Sequence, residues 1–139
     1  MSDYAAINRT VLERVWGGGE VELLDDIVGP GYVFNDPSLP APMRSAAEEK
    51  ALIAKFRSAF PDLSFEIHDE LAIGDRVAQR WTVRGTHEGE FDGLPPTGDT
   101  IELSGMSFVR FADGKLVEVW TNWDLLGLLR AIGAVPAPV

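Results

Sequence analysis

From residue 63 onward the chain is written mostly in period two. "LSFEIHDELAI" (63–73), "RVAQRWTVRGTH" (76–87), "TIELSGMSFVRF" (100–111) and "KLVEVWTNW" (115–123) alternate apolar and polar side chains, the pattern of strands buried on one face. Gly74-Asp75 and Asp113-Gly114 separate neighbouring segments, which predicts two antiparallel hairpins. Between the second and third segments lies a longer loop, "EGEFDGLPPTGD" (88–99).

Such a sheet needs cover for its apolar face, and the first half of the chain supplies it. Asp3 is placed to cap a helix carrying Ile7, Val11, Leu12, Val15 and Trp16 at helical spacing, stopped by Gly17-Gly18-Gly19. A short second helix with Val21, Leu23, Leu24 and Ile27 is expected to end at "GPG" (29–31). "YVFND" (32–36) reads as a short strand and "DPSLPAPMR" (36–44) as an irregular loop. Ser45 and Glu48 form a capping-box pattern before a helix with Leu52, Ile53, Phe56 and Phe60 on one face, and Pro61 lies just past its end. Asp124 precedes a last helix that Gly133 closes, leaving residues 134–139 as a tail. Helices first and strands afterwards predict an α+β fold: one domain, 1–139, with helices packed on one face of a curved antiparallel sheet.

Composition narrows the function. The chain has no cysteine, which removes disulfides, thiol nucleophiles and thiolate metal sites. A formal net charge of −10 argues against nucleic acid and anionic lipid as partners. No apolar run approaches the ~20 residues of a membrane span, and "MSDYAAINRT" lacks the regions of a signal peptide, so the expected location is the cytoplasm. Only two histidines exist, with no carboxylate cluster beside them, and "GGG" (17–19) follows a helix rather than a strand. Neither a metal nor a dinucleotide cofactor is expected.

A curved sheet wrapped around helices leaves a conical cavity. The inward parity collects Val77, Gln79, Trp81 and Val83, then Leu103, Gly105, Ser107, Val109 and Phe111, then Val117, Val119, Thr121 and Trp123. These positions suit a core, and equally a pocket for a hydrophobic small molecule, with Gln79, Trp81, Ser107, Thr121 and Trp123 touching the ligand. Trp16 reads as core filling. Trp120 has the outward parity of a subunit interface, and His68 that of the surface.

The segments "GTHEGEFDGLPPTG" (85–98), "FADGKLVEVW" (111–120) and "WDLLGLLRAIG" (123–133) together resemble the SnoaL-like polyketide cyclase (ester cyclase) family. That resemblance implies the cone-shaped α+β barrel of the nuclear-transport-factor-two superfamily, with dimers formed through the outer face of the sheet. It also implies a cofactor-free ring closure by intramolecular aldol condensation. Such a reaction needs a base for the proton α to a carbonyl, a donor for the enolate oxygen, and a cavity that excludes water. The family's acid/base aspartate falls at Thr121 and its accompanying histidine at Ser107. Neither hydroxyl serves as an unassisted base near neutral pH, so the aldol mechanism does not carry over to these positions.

Four residues remain as catalytic candidates, each with a plainer alternative. His87, the histidine of the G-x-H-x-G motif, is either a proton carrier or a pin for the following loop. Asn35 is either a donor to a carbonyl oxygen or part of an Asn-Asp-Pro turn. Asp69 alternates with Phe65, Ile67 and Leu71 and so either faces inward, with a raised pKa, or lies exposed at the strand end. Asp124 is either a carboxylate at the pocket mouth or the cap of the last helix. The expected functions are a cofactor-independent cyclase or isomerase acting on a hydrophobic carbonyl compound, or a binding protein for such a molecule. A hydrolase or hydroxylase on the same scaffold is the third.

Overall fold

A computed structural model describes residues 3–136; the last three residues of the expected tail lie outside them. Helix α1 (Tyr4–Thr10) begins where the Asp3 carboxylate accepts the Ala6 N–H at 3.0 Å. It continues without interruption into a π-helical segment, Val11–Trp16, where the Gly17 N–H reaches back to the Leu12 carbonyl at 2.9 Å. π-Helical turns of this kind concentrate at functional sites. A 3₁₀ turn (Val21–Leu23) leads into α2 (Leu24–Ile27), and α3 (Ala46–Ala59) opens on the expected capping box, with the Ser45 hydroxyl accepting the Glu48 N–H at 3.2 Å.

Five strands form one curved, unclosed sheet in the order β1-β5-β4-β3-β2. They are β1 (Val28–Asn35), β2 (Ser64–Ile73), β3 (Arg76–Thr86), β4 (Thr100–Ala112) and β5 (Lys115–Trp123). The β2–β3 and β4–β5 ladders are antiparallel, as their turns predict, and β3–β4 is antiparallel across the longer loop. Strand β1 departs from that expectation in two ways. It pairs with β5 in parallel, a connection that requires a long crossover, here supplied by α3 and the intervening strands. It also includes Gly29 and Gly31, expected to end a helix. Gly29 lies so close to β5 that a Cβ there would sit 2.6 Å from the Cβ of Lys115.

The helices cover the concave face. Phe60, Trp81, Val83, Phe91, Leu103 and Leu128 make one buried cluster. Tyr32, Phe34, Val109, Phe111 and Leu116 make another, onto which Tyr4 stacks with ring centroids 4.2 Å from Phe111. Helix α4 (Leu125–Ala131) adds Leu128 to the first of these clusters. Among the described residues no helix is long and apolar enough to cross a membrane.

Candidate functional site

Between the helices and the concave face lies a cavity of about 90 Å³. Leu12, Trp16, Leu52 and Phe56 form its helical wall, and Trp81, Leu103, Val109 and Val119 its sheet wall. Its polar lining consists of Asn8, Asp36, Glu49, Ser107 and Thr121, with no lysine, arginine or histidine among the lining residues. That volume is below the roughly 300–1,000 Å³ of sites for drug-sized ligands. A compact ligand fits as it stands, and a larger one needs wall side chains to move.

Each tryptophan of the wall has its indole N–H engaged. Trp16 donates to Glu49 Oε2 at 3.0 Å, Trp81 to Ser107 Oγ at 3.1 Å, and Trp123 to Asp36 Oδ2 at 3.1 Å. What the indoles offer a ligand is therefore apolar ring surface. Phe56 bridges two of them, edge-on to Trp123 at 5.6 Å and tilted against Trp16 at 6.2 Å.

The hydroxyls on the sheet wall are similarly engaged. Ser107 and Thr121 are cross-strand partners on β4 and β5, with their hydroxyl oxygens 3.2 Å apart. The Thr121 hydroxyl is placed to donate to the Met106 carbonyl at 3.3 Å. With Trp81 donating to Ser107 and Ser107 to Thr121, both hydroxyl hydrogens are used within the wall. A ligand meets lone pairs there, so the pair favours a ligand that brings its own donor.

Glu49 is the feature the sequence reading missed. It is completely buried, on the α3 face that also carries Leu52, Ile53, Phe56 and Phe60. Its two oxygens accept from different elements: Oε1 from the Tyr32 hydroxyl on β1 at 2.5 Å, and Oε2 from the Trp16 indole. Burial raises its pKa above the usual glutamate range, against the pull of the two donors. Tyr32 is pushed the same way, by burial first and then by the neighbouring carboxylate, so it stays a phenol and a donor. The helical spacing 49-52-53-56-60 was the legible sign, a carboxylate set in an apolar stripe. Asp36 and Asn8 were also missed as lining residues.

The expected site residues divide. Trp81, Ser107, Thr121 and Trp123 line one cavity. Gln79 is buried one step behind it, where its Oε1 accepts from Asn8 at 2.8 Å and its Nε2 has no partner. Asn35 points its amide at the Val119 carbonyl, 3.0 Å away, tying β1 to β5. His87 is fully buried outside the lining, its ring 5.4 Å from that of Phe60. Its Nδ1 accepts the Thr97 N–H at 3.3 Å and lies 3.1 Å from the Thr97 hydroxyl, an arrangement that holds the 88–99 loop. Asp124 caps α4, accepting the Gly127 N–H at 2.8 Å. Asp69 requires a correction. The β2–β3 register shifts between Ile67 and Asp69, and such a bulge exchanges inward and outward positions. Beyond it Glu70 turns inward to meet Arg9 at 2.6 Å, while Asp69 is exposed and pairs with Arg80 at 2.8 Å. Leu71, expected on the same inward side, is 71% exposed.

Among the described residues no group of three or more histidines, aspartates and glutamates is gathered to hold a metal. The sequence matches the SnoaL-like polyketide cyclase family over residues 6–132. The chain belongs to that family. Solved structures agree. IdmH, a candidate polyketide cyclase from Streptomyces antibioticus, is 27% identical with a TM-score of 0.83, covering 95% of this chain and 99% of its own. AclR, a candidate hydroxylase from Streptomyces galilaeus, is 33% identical with a TM-score of 0.81, at 97% and 85% coverage. A candidate polyketide cyclase from Acidithiobacillus ferrooxidans is 28% identical with a TM-score of 0.77, at 96% and 99%. No curated protein matches the sequence.

Proposed function

We propose that this chain is a cofactor-independent enzyme of cyclase or isomerase type, acting by proton transfer on a hydrophobic carbonyl compound bound in the cavity. The observation that carries this is an apolar cavity, open on one side, with a few converging polar groups, in a chain of the polyketide cyclase family. Trp81 and Trp123 hold the flat apolar body of the substrate, and the Ser107–Thr121 pair accepts a hydrogen bond from it. His87 and Asn35 support this site by fixing its loop and its edge strand rather than by touching substrate. A second reading, hydroxylation, is favoured by the 33% identity to AclR.

The test incubates the purified protein, without added metal or cofactor, with hydrophobic 1,3-dicarbonyl compounds and follows products by mass. A product of unchanged mass that separates from the substrate by chromatography, or one lighter by water, supports the cyclase or isomerase reading, and a product heavier by oxygen supports hydroxylation. Tight binding without any product makes the protein a carrier instead. We further propose that two copies pair through the outer face of the sheet. Met106 and Phe108 stand there 60% and 43% exposed, with Phe108 edge-on to Trp120 at 5.9 Å. A sedimentation mass near one chain at micromolar concentration rejects the pairing.

A further inference from the structure

We propose that Glu49 is the proton-transfer group of this cavity, abstracting a proton from carbon in an uncharged, flat, hydrophobic C–H acid. This rests on the reading of the cavity as a reaction site.

Three observations meet at this residue. Glu49 borders the cavity and yet is completely buried. Each of its oxygens is fixed by one donor, Tyr32 or Trp16. A carboxylate has about four lone-pair positions, so each oxygen keeps one free while the group cannot rotate away. Finally, no cation lines the cavity, so only the two hydrogen-bond donors, and no opposite charge, oppose the basicity that burial confers. Burying such a group is costly unless it serves a purpose, and neighbouring positions of the same helix face carry leucine, isoleucine and phenylalanine.

Tyr32 is the ionisable side chain hydrogen-bonded to Glu49, and it remains protonated. Asp36 shares the cavity wall but is held by Trp123. On α3, Lys50 turns outward to Asp25 at 2.7 Å, and Arg57 binds the Trp16 and Gly17 carbonyls. The π-helical segment brings Trp16 to Glu49 but no charge. In the step itself the substrate proton passes from carbon to a Glu49 oxygen. The C–H electron pair forms a carbon–carbon double bond, and the carbonyl electrons move to oxygen as an enolate. Glu49, now neutral, can return the proton to the product.

The experiment uses 5-nitrobenzisoxazole, a small flat C–H acid whose ring opening reports a base in an apolar site. The carboxylate takes the C3 proton, the C–H pair forms the nitrile, the N–O bond breaks, and the phenolate leaves; Glu49 then loses the proton to water. Wild-type protein is expected to accelerate the opening, with an acid limb in its pH profile above the ordinary glutamate range. Glu49→Gln is expected to lower the rate at least a hundredfold while the probe still quenches tryptophan fluorescence. Tyr32→Phe removes a donor to the anion and moves the acid limb to higher pH. An unchanged rate in Glu49→Gln overturns the proposal, as does a wild type that binds the probe without accelerating it. Should Glu49→Gln not fold, an unmoved limb in Tyr32→Phe overturns it alone. None of these outcomes depends on the carbonyl screen, so failure of that screen and failure of Glu49 as the base are read separately.

Discussion

Gly105 on β4 lies directly beneath the indole of Trp81 on β3, so close that a Cβ on Gly105 would sit 2.3 Å from the ring. The glycine is what allows the Trp81 indole to lie over β4 and reach Ser107. Gly105→Ala must therefore lift the ring into the cavity. The expected cost is about 1–3 kcal/mol, the range for overpacking, with a shift in tryptophan emission and weaker binding of hydrophobic dyes. Denaturant unfolding and dye titration check both.

Thr121→Val removes one hydroxyl from the wall at nearly constant volume. Ser107 then loses its acceptor and the Met106 carbonyl its side-chain donor. A loss of about 1 kcal/mol in stability is expected. Weaker binding of hydroxylated ligands, with little change for their deoxy counterparts, would identify the pair as the site's donor-selective contact. Calorimetry on matched ligand pairs measures the difference.

At α4 the Asp124 carboxylate lies over Gly127, where an added Cβ would approach it to 2.3 Å. Asp124→Asn keeps the cap and is expected to leave stability unchanged, whereas Asp124→Ala costs ~0.5–2 kcal/mol. Gly127→Ala is expected to destabilise, although alanine in a helix is ordinarily favoured over glycine by about 1 kcal/mol, because it displaces the cap. Thermal unfolding of the three variants separates capping from propensity.

His87→Gln is expected to lower stability while leaving turnover near that of wild type. The buried ring fills space beside Phe60 and accepts from Thr97, and glutamine reproduces that geometry poorly. Loss of turnover with unchanged stability would return His87 to the list of proton carriers.

Glu49 makes stability depend on pH in an unusual direction. Burial raises its folded-state pKa, so the native state holds this proton more tightly than the unfolded chain does. The resulting stabilisation is complete below the unfolded value of about 4.3. It disappears as pH rises through the folded value. Glu49→Gln abolishes the titration. Its stability is therefore expected to gain on wild type as pH rises from the unfolded value through the raised folded one, as followed by denaturant midpoints across a pH series.

Most of the architecture was legible because alternation and caps are local. Asp3, Ser45 and Asp124 each cap the helix their sequence context announces, and β2 to β5 follow their period-two segments. The two glycines of the G-x-H-x-G motif are placed by packing. Gly85 sits 3.1 Å, by an ideal Cβ, from Phe60, and Gly89 lies against the end of α3 at Ser58. What stayed hidden depends on partners distant in the chain. The parallel β1–β5 pairing leaves no turn signal. The Asp69 bulge breaks parity without a glycine or proline to mark it. Glu49 gains its meaning only when β1 brings Tyr32 and the π-helical segment brings Trp16.

The β1–β5 ladder joins residues 33–35 to residues 118–120. Strand β1 therefore has no ladder partner until nearly all the sheet has been made, although Phe34 pairs locally with Met43. Contacts so far apart in sequence are slow to form. Refolding is thus expected to assemble the hairpins first and dock β1 last. The Tyr32–Glu49 and Trp16–Glu49 bonds lie wholly within the first half of the chain, so the carboxylate is held by the helical half before β1 docks. The cavity acquires its second wall only when the helical half and the sheet come together across that ladder.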